Sequence, residues 1–394
     1  MRATFRGIDF YDVDSLLSAD ERVVRDGVRE WVEAEVLPII DACYLEGRFP
    51  EELISPMAAL GVLGANLPAD YGCAGVNNVS YGLIMQELER GDSGIRSFAS
   101  VQGALVMYPI LAFGTEGQRR EWLPALAAGR RIGCFGLTEP EAGSDPVAMR
   151  TVARRVRDGW VLDGTKRWVT NGSRADIAVI WAQTGEIGDS RGIRGFLVPT
   201  GRTGVEIRAI TGRLSLRASI SSELRLDAVE VGKDALLPGT DGIRSALSCL
   251  TQARYGIVWG AVGAAMACLH EALRHAGTRS LFGAPLGAKQ LQQARLADML
   301  TGITQGQLLA LQLGRLKDRG EMTPQQVSLA KRANVDTACE VARETRRLLG
   351  ANGILVGHRA MRHMANLESV YTYEGTHDVH TLILGQALTG EAAF

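Results

Sequence analysis

The stretch Thr151-Val-Ala-Arg-Arg-Val-Arg-Asp158-Gly159-Trp160-Val-Leu162-Asp163-Gly164 decides how this chain is organised. Val152, Val156, Trp160 and Leu162 fall an even number of positions apart, the side-chain period of a strand, and Asp158-Gly159 and Asp163-Gly164 are dipeptides that favour hairpin turns. Strand-like runs continue over 176–182, 195–199, 205–210 and 224–231. Short strands at regular spacing with turn signals between them predict a small antiparallel barrel or sandwich rather than a parallel sheet.

On both sides of this insert the period is helical. Ser18-Ala-Asp-Glu21 reads as a capping box, and Val24, Val28, Trp31, Val32 and Val36 follow at the spacing of one helix face until Pro38 ends or kinks the run. Similar patterns cover 51–63, 80–90, 101–113 and 115–128. After Pro238-Gly239 three long helices are expected over 244–276, 290–319 and 323–349, with a short one over 379–388. Small residues at Gly260, Ala261, Gly263, Ala264 and Ala265 would let partner helices approach closely. The expected architecture is an α+β multidomain chain: a helical domain over 1–135, an antiparallel β domain over 136–237 and a four-helix bundle over 238–394.

Composition removes several functions. The 394 residues carry 43 Lys+Arg and 44 Asp+Glu, a net charge of −1, with no basic stripe of the kind that binds nucleic acid. At 46% hydrophobic and 22% charged residues, disorder is excluded as well. The six cysteines are scattered without a C-x-x-C pair, as expected for reduced thiols in a cytoplasmic protein. The N-terminus does not read as a signal peptide, and the uncharged run 255–270 is too short for a membrane span and reads as a buried helix. Glycine is abundant at 46 residues, yet no two lie two positions apart, so the dinucleotide-binding G-x-G-x-x-G is absent. Ser190 in Gly188-Asp-Ser190-Arg-Gly192 lacks the strand-turn-helix context of a nucleophile elbow. Ser93 in Gly91-Asp-Ser-Gly94 sits in a polar break between helical patterns with no histidine nearby. His358, His363, His377 and His380 have no thiol or carboxylate cluster to complete a metal site, and none is expected.

Five motifs remain in order along the chain: Phe135-Gly-Leu-Thr-Glu-Pro140 with Gly143-Ser-Asp145, Lys166-Arg-Trp-Val-Thr-Asn171, Arg279-Ser-Leu-Phe-Gly283, Leu349-Gly-Ala-Asn-Gly353 and Tyr373-Glu-Gly-Thr-His377. With the helix, sheet, helix order, they make the chain resemble the acyl-CoA dehydrogenase family over nearly its whole length. Within that family, Glu87-Leu-Glu-Arg-Gly-Asp-Ser-Gly-Ile-Arg-Ser97, Ala253-Arg-Tyr-Gly256 and the run from Asn366 to Asp378 resemble the glutaryl-CoA dehydrogenases.

The resemblance implies α,β-dehydrogenation of an acyl-CoA thioester. That chemistry needs a base for the α proton, an acceptor for the β hydride and donors for the thioester oxygen. Glu374 matches the base, and a dry pocket would raise its pKa toward what proton abstraction needs. The hydride acceptor implied is FAD, because no side chain accepts a hydride. Leu137 and Thr138 match positions at the flavin's pyrimidine edge, Trp168 and Thr170 its aromatic wall and reactive nitrogen, and Ser144 its phosphate side, where Ser144 is also placed among the substrate-binding residues. Composition alone would instead make Trp168 a core aromatic and Thr170 an ordinary strand residue. Arg279, Phe282 and Gln290 match elements that reach a neighbouring subunit's FAD, which implies a homotetramer; Arg347, Gly350 and Thr376 complete the implied cofactor set. Arg347 stands where Gln is frequent and Ala351 where Gly is, two departures at the inter-subunit FAD contact.

Arg96, Ser100 and Tyr373 match residues that receive the far carboxylate of glutaryl-CoA, with Glu89 orienting the Arg and Arg254 also on the substrate side. An arginine in an apolar pocket needs an anion, although Arg96 also reads as simply pairing with Glu89 or Asp92 at a helix end. Ile95 and Tyr371 depart from residues common in the nearest relatives. The expected function is oxidative decarboxylation of glutaryl-CoA to crotonyl-CoA and CO2, with an electron-transfer flavoprotein as electron acceptor. The alternatives are dehydrogenation of another short acyl-CoA or of a carrier-protein thioester, or a flavin-fold binding protein without redox turnover.

Overall fold

The computed structural model describes residues 7–393. Seven helices precede the sheet: α1 (Ala19–Trp31), α2 (Ile40–Glu46), α3 (Ile54–Ala59), α4 (Asn78–Gly91), α5 (Ser93–Ser100), α6 (Tyr108–Phe113) and α7 (Glu116–Ala127). The expected capping box is present at Ser18, whose hydroxyl accepts from the Glu21 N–H while the Glu21 carboxylate accepts from the Ser18 N–H. Pro38 lies in the break between α1, with its π-type extension Val32–Val36, and α2. The polar break expected around Ser93 is instead the start of a helix. Asp92 caps α5 by accepting from the Gly94 N–H, and α5 runs through a π-helical stretch, Val101–Met107, into α6. The break was expected because Asp92, Ser93, Arg96, Ser97 and Ser100 are polar, yet all are buried.

The seven strands β1 (Gly133–Gly136), β2 (Val152–Val156), β3 (Gly159–Thr170), β4 (Ile177–Gln183), β5 (Ile193–Pro199), β6 (Val205–Ala209) and β7 (Ser221–Gly232) form one sheet. Most neighbours are antiparallel as expected, but β1 and β2 both pair parallel to β4. β4 explains the difference. Ile177, Val179 and Trp181 face one core, while Ala178, Ile180 and Ala182 face another. A strand buried on both faces reads as an unbroken apolar run and tolerates parallel neighbours. Asp163-Gly164 is also not a hairpin turn. It lies inside β3 at a shift in register against β7, where Gly164 has φ +150 and an added Cβ would sit 2.3 Å from the Thr151 hydroxyl. The hairpin at Asp158 is as expected, with Val156 opposite Gly159.

The C-terminal part contains α8 (Gly242–Thr278), α9 (Gln290–Asp318), α10 (Pro324–Leu348), α11 (Arg359–Thr372) and α12 (His377–Thr389), with a short hairpin, β8 (Ser280–Leu281) and β9 (Ala284–Pro285), between α8 and α9. Helix α11 corrects the expected count of three long helices and a short one. Ser93–Phe113 and Gly242–Thr278 are long and apolar enough to cross a membrane by length and composition, but 83% of each apolar window is buried inside the fold. α8 packs on α4 through the glycines picked out in the sequence: a Cβ at Gly263 would lie 1.9 Å from the Gln86 carbonyl oxygen. All six cysteines are free thiols, five of them buried.

Candidate active site

Four residues, Tyr373, Glu374, Gly375 and Thr376, join α11 to α12. Glu374 and Gly375 are both left-handed, with φ +55 and +87, a conformation that costs a non-glycine residue about 1–2 kcal/mol. The surroundings over-determine this turn. Lys331 on α10 sends its ammonium to the carbonyls of Tyr373, Gly375 (2.6 Å) and Glu374 (3.4 Å). Arg254 on α8 donates Nε to the Glu374 carbonyl at 2.6 Å. Thr376 caps α12 by accepting from the Val379 N–H. His380 lies 3.3 Å from the same Glu374 carbonyl through Nε2 and 3.0 Å from the Ser328 hydroxyl through Nδ1. Burial, with Lys331 and Arg254 nearby, pushes His380 down to about 3. A neutral ring with its proton on Nε2 donates to the carbonyl and accepts from Ser328.

None of these donors hydrogen-bonds to the Glu374 carboxylate. Its Oε2 is buried and has no hydrogen-bond partner among the described residues. Burial pushes the carboxyl pKa above its ordinary 4.5, and the cations Arg254, Lys331 and Arg96 pull it partly back. A desolvated, unpartnered carboxylate is a stronger base than a solvated one.

Arg96 extends from α5 toward the same turn. It is 2% exposed. Its Nε donates to Glu89 Oε2 at 2.6 Å and its Nη2 to the Tyr373 hydroxyl, while its Nη1 makes no hydrogen bond among the described residues. Of the two partners expected from the sequence, Arg96 pairs with Glu89 and not with Asp92, and its contact with Tyr373 brings it next to Glu374 in the chain. Asp92 serves a different purpose, accepting from Arg362 Nη1 at 2.6 Å and Asn366 Nδ2 at 2.9 Å, which ties the start of α5 to α11. Ser100 is buried one turn beyond Arg96 and does not bond to it.

The strip expected at the flavin lies on the segment just after β1 and on β3. Thr138 and Trp168 are neighbours because the Thr138 carbonyl accepts from the Arg167 N–H at 2.8 Å. β3 shifts register between Lys166 and Val169, and Trp168 has φ +60. The irregularity turns the indole out of the sheet, so Trp168 is 55% exposed and is not a core aromatic. The hydroxyls of Thr138 and Thr170 find no partner among the described residues. Beneath the strip, Lys166 is fully buried, donates to the Leu137 carbonyl (3.1 Å) and to Glu139 (2.8 Å), and is lowered by that burial to about 8. Ser144 is exposed on the following loop.

Arg279, Phe282, Gln290, Arg347 and Gly350 do not join the Glu374 cluster. All are exposed, Phe282 most of all at 91% on the tip of the β8–β9 hairpin, and Arg347 pairs with Glu344. No three His, Cys, Asp or Glu groups among the described residues are placed to hold a metal ion. Sequence reasoning missed Lys331, which looks like one more polar residue of an amphipathic helix, and assigned no role to Lys166 or Glu139.

The structure thus brings together a carboxylate with a buried, unpartnered oxygen on a left-handed turn, a buried arginine held by Glu89, and an exposed indole turned out of a sheet. Family models for the acyl-CoA dehydrogenase N-terminal, middle and C-terminal domains match residues 18–130, 134–229 and 240–389, and the chain belongs to the acyl-CoA dehydrogenase family. A crystal structure of a glutaryl-CoA dehydrogenase from Mycobacterium smegmatis in complex with FADH2 is 50% identical, with a TM-score of 0.95 and 98% of each chain covered. A glutaryl-CoA dehydrogenase from Desulfococcus multivorans is 32% identical over 94% of this chain and 97% of that protein. The short-chain specific acyl-CoA dehydrogenase of Bos taurus mitochondria is 34% identical over 93% of this chain and 90% of its own length.

Proposed function

We propose that this FAD-dependent acyl-CoA dehydrogenase acts on glutaryl-CoA and releases crotonyl-CoA and CO2. The observation that carries the substrate is Arg96: a buried guanidinium fixed by Glu89 and Tyr373, with one nitrogen left over, next to the base. Around it three cations, Arg96, Arg254 and Lys331, face two carboxylates, Glu89 and Glu374. This local excess of positive charge suits an acyl group that ends in a carboxylate.

The residues fit the flavin. An exposed indole beside two unpartnered hydroxyls suits a flat ring system with polar edges. Leu137, Thr138, Trp168 and Thr170 would line it, and Ser144, Arg279, Phe282, Gln290, Arg347, Gly350 and Thr376 complete the proposed set. Bound FAD supplies the acceptor for the β hydride. Glu374 takes the α proton, and its desolvation matches the base to a weakly acidic C–H. Arg96 binds the far carboxylate and thereby sets the acyl chain's register against the base. In the glutaconyl thioester that carboxylate is vinylogous to the thioester carbonyl, so its carbon leaves as CO2, and protonated Glu374 returns a proton to give crotonyl-CoA.

The reading includes a homotetramer with the exposed hairpin at Arg279–Gly283 against a neighbouring subunit, an electron-transfer flavoprotein as acceptor, and a cytoplasmic location consistent with free thiols. A second reading, dehydrogenation of a short monocarboxylic acyl-CoA, is favoured by the Glu89 pair, which already neutralises Arg96. Steady-state assays with glutaryl-CoA and butyryl-CoA, a dye acceptor and CO2 detection separate the two. Preference for glutaryl-CoA with one CO2 per turnover is expected; preference for butyryl-CoA without CO2 overturns the dicarboxylate assignment.

A further inference from the structure

Lys331 is 2% exposed and makes no salt bridge among the described residues; its hydrogen bonds there all go to backbone oxygens. Burial lowers it to about 7, with Arg254 and Arg96 pressing the same way and the Glu374 carboxylate opposing them. A buried ammonium among like charges is costly, and an apolar residue of similar length would avoid that cost. What the ammonium supplies is three donors on a flexible stem. The turn from Tyr373 to Gly375 presents three successive carbonyls that the left-handed backbone directs away from any helix ladder.

We propose that Lys331 is a positioning residue for the base: its ammonium gathers the carbonyls of Tyr373, Glu374 and Gly375 and holds the left-handed turn from which the Glu374 carboxylate is aimed. The inference rests on the reading of Glu374 as the base. Arg254 supports one of these carbonyls and His380 the same one, so neither replaces the clamp across all three. Without the ammonium, Glu374 and Gly375 are free to relax toward more populated backbone conformations, and the carboxylate loses its aim while the pocket for the thioester stays in place.

The test uses the FAD-loaded enzyme with Lys331→Ala, Lys331→Met and, as a control on the reading, Glu374→Gln. Two readouts are followed: turnover, and exchange of the substrate's α proton with D2O in the absence of an electron acceptor. Lys331→Ala and Lys331→Met are expected to keep bound flavin, to leave KM within about threefold, and to lower kcat and α-proton exchange together by about 100-fold, the loss typical of a misplaced reacting group. Added ethylammonium should restore about tenfold to the Ala variant and nothing to Met, whose side chain fills the space. Turnover and exchange near wild type in both Lys331 variants, with Glu374→Gln inactive, overturn the role of Lys331 alone. Retained exchange in Glu374→Gln overturns the reading of the base. Lost activity that amine does not restore, in proportion to lost thermal stability, makes Lys331 structural and also overturns the proposal.

Discussion

At the residue scale, the site turns on one carboxylate whose buried oxygen has no hydrogen-bond donor among the described residues. Burial raises the Glu374 pKa, and the flanking cations moderate the rise without cancelling it. The sign for activity follows: Glu374 must be ionised to take a proton, so kcat/KM falls as pH drops through its raised pKa. The acid limb of the kcat/KM profile is expected above the ordinary 4.5 of a glutamate and is absent from the residual activity of Glu374→Gln. A profile of the wild-type enzyme flat from pH 7 down to 4.5 contradicts it. Glu374 was legible in the sequence because Tyr373-Glu-Gly-Thr-His377 resembles the family's base motif. Its isolation was not, because burial of one oxygen depends on residues from α5, α8 and α10 that lie far apart in the chain.

At the scale of elements, a buried ion pair, Lys166 with Glu139, lies beneath the strip proposed to hold the flavin. Glu139 accepts from the N–H groups of Arg150 and Thr151 as well as from Lys166, so removing the lysine strands a carboxylate with two backbone donors and no cation. Lys166→Met is expected to cost about 3–5 kcal/mol, the range for breaking one side of a buried pair, and to lower bound flavin per chain as the Leu137–Thr138 strip loosens. Chemical denaturation and flavin absorbance check both; a variant within about 1 kcal/mol of wild type that is fully loaded with flavin would refute the support. Apolar periodicity found most elements, and failed where a buried face is polar. Helix α11 turns Arg362, His363 and Asn366 inward, and α5 buries Asp92 at its cap with Arg96 and Ser100 in its length, so both faces read as solvent. β4 reads as a strand over 176–182, but its parallel pairing does not, because both its faces are apolar and the alternation that marks a half-buried antiparallel strand is missing.

For the whole molecule, the described chain leaves part of its proposed flavin site on the outside. Phe282, Leu281, Leu291, Ile354 and Leu355 are all exposed apolar residues near the ends of the bundle helices. If the hairpin completes a neighbour's site, Phe282→Ser should lower the sedimentation coefficient below that of a tetramer and reduce bound flavin together; a monodisperse tetramer with full flavin would show that the hairpin carries neither. The five motifs made the family legible over nearly the whole chain, whereas the proposed assembly would be written in surface residues whose partner lies outside the chain.

The close crossing of α4 and α8 has a consequence for how such a site can change over generations. A Cβ at Gly260 would sit 2.0 Å from Glu89 Oε2, and one at Gly82 would fall inside the Trp259 ring. These helices carry Glu89 and Arg254, so the frame that sets them apart has no slack to widen or narrow by small steps. A lineage that adopts a different acyl chain is therefore steered toward exchanging side chains on a fixed frame, at positions such as Ile95 and Tyr371, and away from sliding its helices. Descendants with different substrates would then share nearly superimposable backbones, and their divergence would be found in a few pocket side chains.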